Sequence, residues 1–187
     1  MARKKEYLEA VVIEKAMHLF WRNGYENTSM RMLEKEMGIN KFSIYSSFGN
    51  KEGVFIESLK CYRKKLSQIT DQLKTSSNGV TGLKKYFYDF IEFSRYNGVY
   101  KGCLVTNSIN ELPQEASPLI KEELSQLTDD IKSLFTTNLQ QEQYLNRVTI
   151  EEKADYLIIS MFGLASASRV FHDTQLHNYI ENIFKSV

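Results

Sequence analysis

The sequence predicts an all-α protein, and three observations carry that expectation. Gly and Pro number only 9 and 2 in 187 residues, so the chain holds few breakers. Apolar residues recur at three- and four-residue spacing along most of its length. No segment reads as a strand. The composition, 42% hydrophobic and 25% charged, is that of a folded globular chain and excludes a disordered one. Cys61 and Cys103 are too few for a disulfide framework, so a reducing cytoplasm is the expected compartment. No run of 18 apolar residues is present, so no membrane span is expected. The stretch Met1-Ala2-Arg3-Lys4-Lys5-Glu6 is basic with no apolar segment behind it, and is not expected to act as a secretory signal.

About nine helices follow in order. The first runs from Lys5 to Asn23, with Leu8, Val12, Ala16, Leu19 and Phe20 on one stripe and Val11 and Ile13 widening it. Gly24 stops it, because a left-handed residue costs Gly little. Thr28 is the expected cap of a short helix over 29–37 that carries Met30, Leu33 and Met37. Gly38-Ile39-Asn40 links it to a third helix over 41–48, which Gly49-Asn50 ends. Lys51-Glu52 opens a long helix to about residue 75, and Ser76-Ser77-Asn78-Gly79 is a loop. A helix bearing Leu83, Phe87, Phe90 and Ile91 ends near Asn97-Gly98, and a short apolar piece spans Cys103 to Leu112. Pro118 suits the first turn of the next helix. Thr149 and Glu152 form an expected capping box for an apolar helix over 150–171, and a last helix covers about 174–186.

Two short helices across Gly38-Ile39-Asn40 have the form of a helix-turn-helix, whose second helix can lie in a DNA major groove. The face of Lys41, Ser43, Ser46 and Ser47 offers small or hydrogen-bonding side chains, while Ile44 and Phe48 anchor the helix inward. Charge is uneven as well. Residues 1–65 hold 13 Lys and Arg against 8 Asp and Glu, and residues 66–187 hold 11 against 15. A basic module meeting a polyanion fits this balance, and so does a solvated helix face.

Residues 12–56 resemble the N-terminal domain of TetR-type (TetR/AcrR) bacterial transcription regulators. The resemblance is carried, in order, by Val12-Ile13, Ala16, Leu19-Phe20, Gly24-Tyr25, Thr28-Ser29, Leu33, Gly38-Ile39, Ile44-Tyr45, Phe48 and Asn50-Lys51-Glu52. Beyond residue 65 it weakens to Gly102-Cys103-Leu104-Val105, Glu111-Leu112 and Gly163-Leu164-Ala165. The resemblance implies a DNA-binding domain over 1–50 and a ligand-binding and dimerisation domain over 51–187. It also implies that Thr28, Arg31, Lys41, Ser43, Tyr45 and Lys51 face DNA. Thr28 and Lys51 would stand at helix N-termini that hold phosphates, and Tyr45 would reach the backbone. Asn40, Lys41, Phe42 and Ser46 are placed to touch base edges, Lys41 at a guanine and Phe42 at a thymine methyl. Phe42, Ser46 and Ser47 depart from the family's usual residues, and Phe42 fits the inner wall as well.

One such module buries too little to choose a genomic site, so a homodimer on double-stranded DNA is expected. The resemblance places its contacts on the last two helices, for which Leu157, Met161, Leu164, Ser168 and Phe171 are the candidates. The same helix also reads as the buried centre of a monomer. In the middle of the chain, Tyr86, Phe87, Tyr88, Phe90, Phe93, Tyr96 and Tyr100 crowd together. Phe87, Phe90, Phe93, Cys103, Thr106, Asn107 and Phe135 are candidates to line an inducer pocket, or to fill core. Cys103 reads as a structural thiol, with Lys101 the one basic neighbour able to activate it.

Catalysis is not expected. His172 and His177 stand five apart, so they do not share a helical face as metal ligands do, and no phosphate loop or paired-Cys motif appears. No cofactor is implied. The expected function is a homodimeric repressor that a small-molecule inducer releases from a palindromic operator. A helix-turn-helix relative acting through a protein partner, or binding DNA without specificity, is the alternative.

Overall fold

The computed structural model of the protein describes residues 7–96 and 99–187. Arg3, Lys4 and Lys5 of the basic N-terminal stretch, the side chain of Tyr96 and the expected helix end at Asn97-Gly98 lie outside the described residues. Within them the chain forms nine helices: α1 (Glu9–Asn23), α2 (Met30–Met37), α3 (Lys41–Phe48), α4 (Lys51–Lys74), α5 (Gly79–Ser94), α6 (Leu104–Glu111), α7 (Pro118–Leu139), α8 (Arg147–Ala167) and α9 (Asp173–Ile183). A two-residue antiparallel ladder, β1 (Arg95–Tyr96) and β2 (Val99–Tyr100), stands between α5 and α6.

The expected stops hold. Gly24 (φ +81°) ends α1 and Gly38 (φ +71°) ends α2, each closing the helix with its own N–H. Pro118 occupies the first turn of α7. Helix starts differ where tertiary contacts or a better cap intervene. The first helix is described from Glu9, the expected start at Lys5 lying outside the described residues, and before it the Tyr7 hydroxyl reaches α3, where it meets Ser47 Oγ at 2.7 Å and donates to the Ser43 carbonyl at 3.3 Å. Val11, expected to widen the buried stripe, is exposed. Ser29 caps α2 in place of Thr28, accepting the Met32 N–H at 3.2 Å. No box forms at Thr149 and Glu152. Asn146 caps α8 by accepting the Thr149 N–H at 3.0 Å, so that helix starts earlier. The fifth helix ends at Ser94, where Arg95 turns away to pair with Asp173 at 2.9 Å and with Tyr100.

A continuous apolar core joins the two ends of the molecule. The long helix α4 is its axis and packs on α1, α5 and α7. Near its start Phe55 meets Phe20 of α1 edge-on at 4.9 Å, and one turn beyond Leu59 Tyr62 meets Trp21 at 5.0 Å. Leu66 and Leu73 are buried further along. Each such side chain contributes about 1.5–3 kcal/mol by leaving water. Helix α7 lies between α4 and α8, and α9 closes over α5 and α8.

Candidate nucleic-acid interface

The helix-turn-helix module is α1, α2 and α3. Leu33 and Met37 of α2 and Ile44 of α3 are buried against α1 and α4, which holds the two short helices at a fixed angle. Glu34 adds a staple, accepting the Lys41 N–H, the first amide of α3, at 2.7 Å. Asn40 caps α3 by accepting the Ser43 N–H at 2.9 Å.

At 100° per residue, α3 divides cleanly. Lys41, Phe42, Tyr45 and Ser46 are exposed and span an arc of about 140°. Ile44 is buried, with Ser43, Ser47 and Phe48 partly covered beside it. Phe42 is 82% exposed, which rules out the inner-wall reading and leaves a large ring in water with no packing role. Tyr45 is also exposed, so packing does not account for it, and the Lys41 ammonium lies 5.6 Å from its ring centroid. Arg31 on α2 is exposed too. The module thus brings together five of the expected DNA-facing residues: Arg31, Lys41, Phe42, Tyr45 and Ser46.

The other four stand differently. Thr28 is fully buried and donates its hydroxyl to the Gly24 carbonyl at 2.6 Å, so its side chain faces no partner outside the protein. Asn40 is exposed, with its carbonyl oxygen accepting as the cap while its amide nitrogen takes no part in the cap. Ser43 is half-buried, its backbone carbonyl accepting from the Tyr7 hydroxyl, and the Ser47 hydroxyl beside it meets the same phenol. Lys51 is folded back on the α1–α2 loop, its ammonium 4.3 Å from the Tyr25 ring centroid and 3.4 Å from the Glu26 carbonyl. Burial of Tyr25 at this junction pushes its phenol above the usual range, with Glu52 and Glu26 adding to the rise. Sequence reasoning missed Ser29, Glu34 and Tyr7. Ser29 was indistinguishable from its neighbour Thr28, and Glu34 and Tyr7 act on partners that no local pattern names.

Of the candidate pocket residues, Phe87, Phe90, Thr106 and Phe135 are buried, and Phe93, Cys103 and Asn107 partly so. Phe87 and Phe135 are fully buried 5.9 Å apart, with Tyr86 and Phe184 against them. Phe90 and Thr106 are also buried, and the Asn107 amide donates to the Lys101 carbonyl at 2.9 Å. Phe93 belongs to a second cluster with Trp21 and Tyr62, whose hydroxyl donates to Cys103 Sγ at 3.2 Å. These rings fill core because aromatic pairs at 5–6 Å leave no room between them. A groove of about 480 Å3 opens elsewhere, between α4 and α7, with Leu66, Leu127 and Leu134 on its floor and Thr70 and the Arg63–Asp130 pair at its sides.

The candidate dimer residues lie mostly inward in the protomer. Leu157, Met161, Leu164 and Ser168 form the stripe of α8 that faces the protomer's own core. The opposite stripe carries Tyr156, Ile159 and Gly163, all exposed, with Ile159 at 71%. Phe171 is exposed as expected and, with Tyr179 of α9, borders the groove beside Gly163.

Comparison with known proteins agrees with this architecture. Residues 12–57 match the family model for bacterial regulatory proteins of the tetR family. The chain is 27% identical over 178 residues to the uncharacterized HTH-type transcriptional regulator YezE of Bacillus subtilis, a match covering 92% of each chain. It is 23% identical over 184 residues to IcaR of Staphylococcus aureus, the HTH-type negative transcriptional regulator of the biofilm operon icaADBC, covering 92% of this chain and 96% of that one. Among solved structures it resembles a cysteine mutant of the TetR family regulator CifR complexed with 26-bp double-strand operator DNA. That match has a TM-score of 0.88 and 22% identity and covers 99% of both chains. A TetR regulator from Legionella pneumophila gives a TM-score of 0.83 at 17% identity over 98% of both chains. Residues 12–57 thus match the tetR-family model, and the whole chain shares the fold of TetR-family structures.

Proposed function

We propose that the chain is a sequence-specific transcriptional repressor that binds a palindromic operator as a homodimer and is released by a small molecule. One observation carries this reading: α3 holds Lys41, Phe42, Tyr45 and Ser46 in water on one arc while Ile44 pins its other side. A helix shaped this way fits a major groove about 12 Å wide. The operator-bound state of CifR and the negative regulation named for IcaR support the same reading.

In this reading Arg31 and Tyr45 contact phosphates, and the N-termini of α2 and α4 offer further anion sites. Lys41, Phe42 and Ser46 touch base edges, joined by the amide nitrogen of Asn40. Residues 1–50 are the reader and 51–187 the body that spaces two readers. The pairing surface is the exposed stripe of Tyr156, Ile159 and Gly163 with Phe171 and Tyr179. The groove between α4 and α7 is the inducer site, since its volume suits a small ligand and one wall is the helix that enters the reader. Full release requires the inducer to favour the released state by about 10⁴-fold. The chain acts in the bacterial cytoplasm, where its DNA lies, and has no catalytic role. Among the described residues no helix is long and apolar enough to cross a membrane.

A mobility-shift assay on the intergenic DNA flanking its own gene tests the proposal. Binding is expected, falling roughly 10³-fold or more between 50 and 200 mM salt if six or more phosphates are neutralised. Arg31→Ala and Tyr45→Phe are expected to weaken it. Indifference to both substitutions would remove α2 and α3 as the interface.

A further inference from the structure

We infer that Glu111 is a positioning residue that clamps α6 to the DNA-reading module and sets the angle at which that module is presented. This rests on the DNA-binding reading above and adds to it a residue that lies outside the reader.

Glu111 is the last residue of α6, where a negative charge is unfavourable beside the free carbonyls of the helix end. Its carboxylate is instead committed across 85 residues of chain. One oxygen accepts the Tyr25 N–H at 2.8 Å and the other accepts the Glu26 N–H at 2.6 Å. Two successive amides following a positive-φ residue form a small anion cradle, and here the chain's own carboxylate fills it. Gly24 (φ +81°) makes the approach possible, since a Cβ at that position would strike the carboxylate. Charge-assisted bonds of this kind are about twice as strong as neutral ones.

The cradle is a junction. The Gly24 carbonyl takes the Thr28 hydroxyl, directly before the Ser29 cap of α2. The Glu26 carbonyl and the Tyr25 ring take the Lys51 ammonium at the start of α4. Both helix ends proposed to meet phosphate therefore hang on the loop that Glu111 grips. The other end of α6 is tied down as well. Gly102, next to Cys103 at its start, accepts the Trp21 indole N–H at 3.2 Å. Gly102 in turn lies so close to α8 that a Cβ there would sit 2.9 Å from the Ala165 carbonyl oxygen. So α6 brackets the C-terminal turn of α1 and the loop after it at two points, and its pose is referred to the helix proposed to pair protomers.

The test is half-site spacing. A duplex selected from a random pool by the wild-type protein is remade with one base pair added or removed at its centre, and each duplex is titrated with wild type, Glu111→Gln and Glu111→Ala at one salt concentration. Wild type is expected to discriminate against both altered spacings. Glu111→Gln keeps the side chain's size but offers one acceptor and presents an NH2 to the second amide. It is expected to lose roughly 10-fold on the selected duplex and to flatten the spacing preference, with bulk-DNA binding and helicity unchanged. Glu111→Ala is expected to go further in the same direction. If Glu111→Ala does not fold, Glu111→Gln decides alone. Spacing preference in Glu111→Gln equal to wild type would overturn the clamp while leaving the DNA-binding reading intact. A wild-type protein with no preference over bulk DNA would overturn both.

Discussion

Helices α3 and α8 are opposites in how they divide between core and water. In α3 one residue of eight, Ile44, is buried, and four lie exposed on a single arc. In α8 seven of 21 are buried, yet the outward stripe still carries Tyr156 and Ile159. In α3 the buried Ile44 set against Lys41 and Ser46 announces which side faces out, although Phe42 and Tyr45 share the outward arc. A helix apolar on both sides does not, and only the packing of its neighbours separates the stripe that fills the protomer from the stripe left for a partner. The difference teaches that exposure of a large apolar side chain, rather than hydrophobicity itself, marks a surface available for contact.

The sharpest way to break this contrast is on α8. Ile159→Glu is expected to give a monomer in sedimentation and to lose at least about 100-fold in operator affinity, because the second reader no longer binds as part of one molecule. Leu157→Ala, two positions away, is expected to cost about 3 kcal/mol of stability in denaturant titration. If Leu157→Ala instead released monomers without destabilising them, the assignment of the two stripes would be reversed. On α3 the same pairing applies at smaller scale. Ile44→Ala is expected to cost about 2–4 kcal/mol. Phe42→Ala should change stability by less than about 0.5 kcal/mol and weaken operator binding by about tenfold.

The seam between the helix-turn-helix module and the body holds a buried lysine. Lys101 is buried there with its ammonium 5.5 Å from the Trp21 ring centroid, and burial together with Arg22 lowers its pKa to about 8. Burial likewise lowers His18, which stacks on that indole, with Lys101 adding to the effect. A base whose folded pKa is depressed binds more protons when unfolded, so stability rises with pH from about 8 toward the ordinary lysine value. Wild type is therefore expected to gain in Tm between pH 8 and pH 10 relative to Lys101→Met, and parallel profiles would refute the assignment. The smallest expected effect is at the start of α8. Asn146→Ala should cost about 1 kcal/mol, and Thr149→Ala less, in thermal unfolding.

The reader was legible to the extent that its signals were local. Gly24 and Gly38 end their helices where the pattern placed them, and the alternation around Ile44 marked the inward side of α3. Caps were less legible, because Thr28 and Ser29, or Asn146 and Thr149, are chemically equivalent claimants a few residues apart. The body was legible as helices but not as a site. Among the residues suited to a pocket, Phe87 and Phe135 pack in one ring cluster and Phe93 in another, since ring geometry in three dimensions is not written in their spacing. The Glu111 clamp had at most a faint signal, an acidic residue at a helix C-terminus, and its partners lie 85 and 86 positions away.

From amino-acid order alone came the helical class, the breakpoints at glycine and proline, and the inward side of α3 at Ile44. These depend on backbone freedom and on a 3.6-residue period, both of which act over a few neighbouring residues. Which stripe of α8 turns outward, where the hydroxyl of Thr28 points, how Lys51 is folded back and what grips the loop after α1 were decided by tertiary packing. Each turns on which surfaces meet, and that is set by the whole core at once and not by any segment of it.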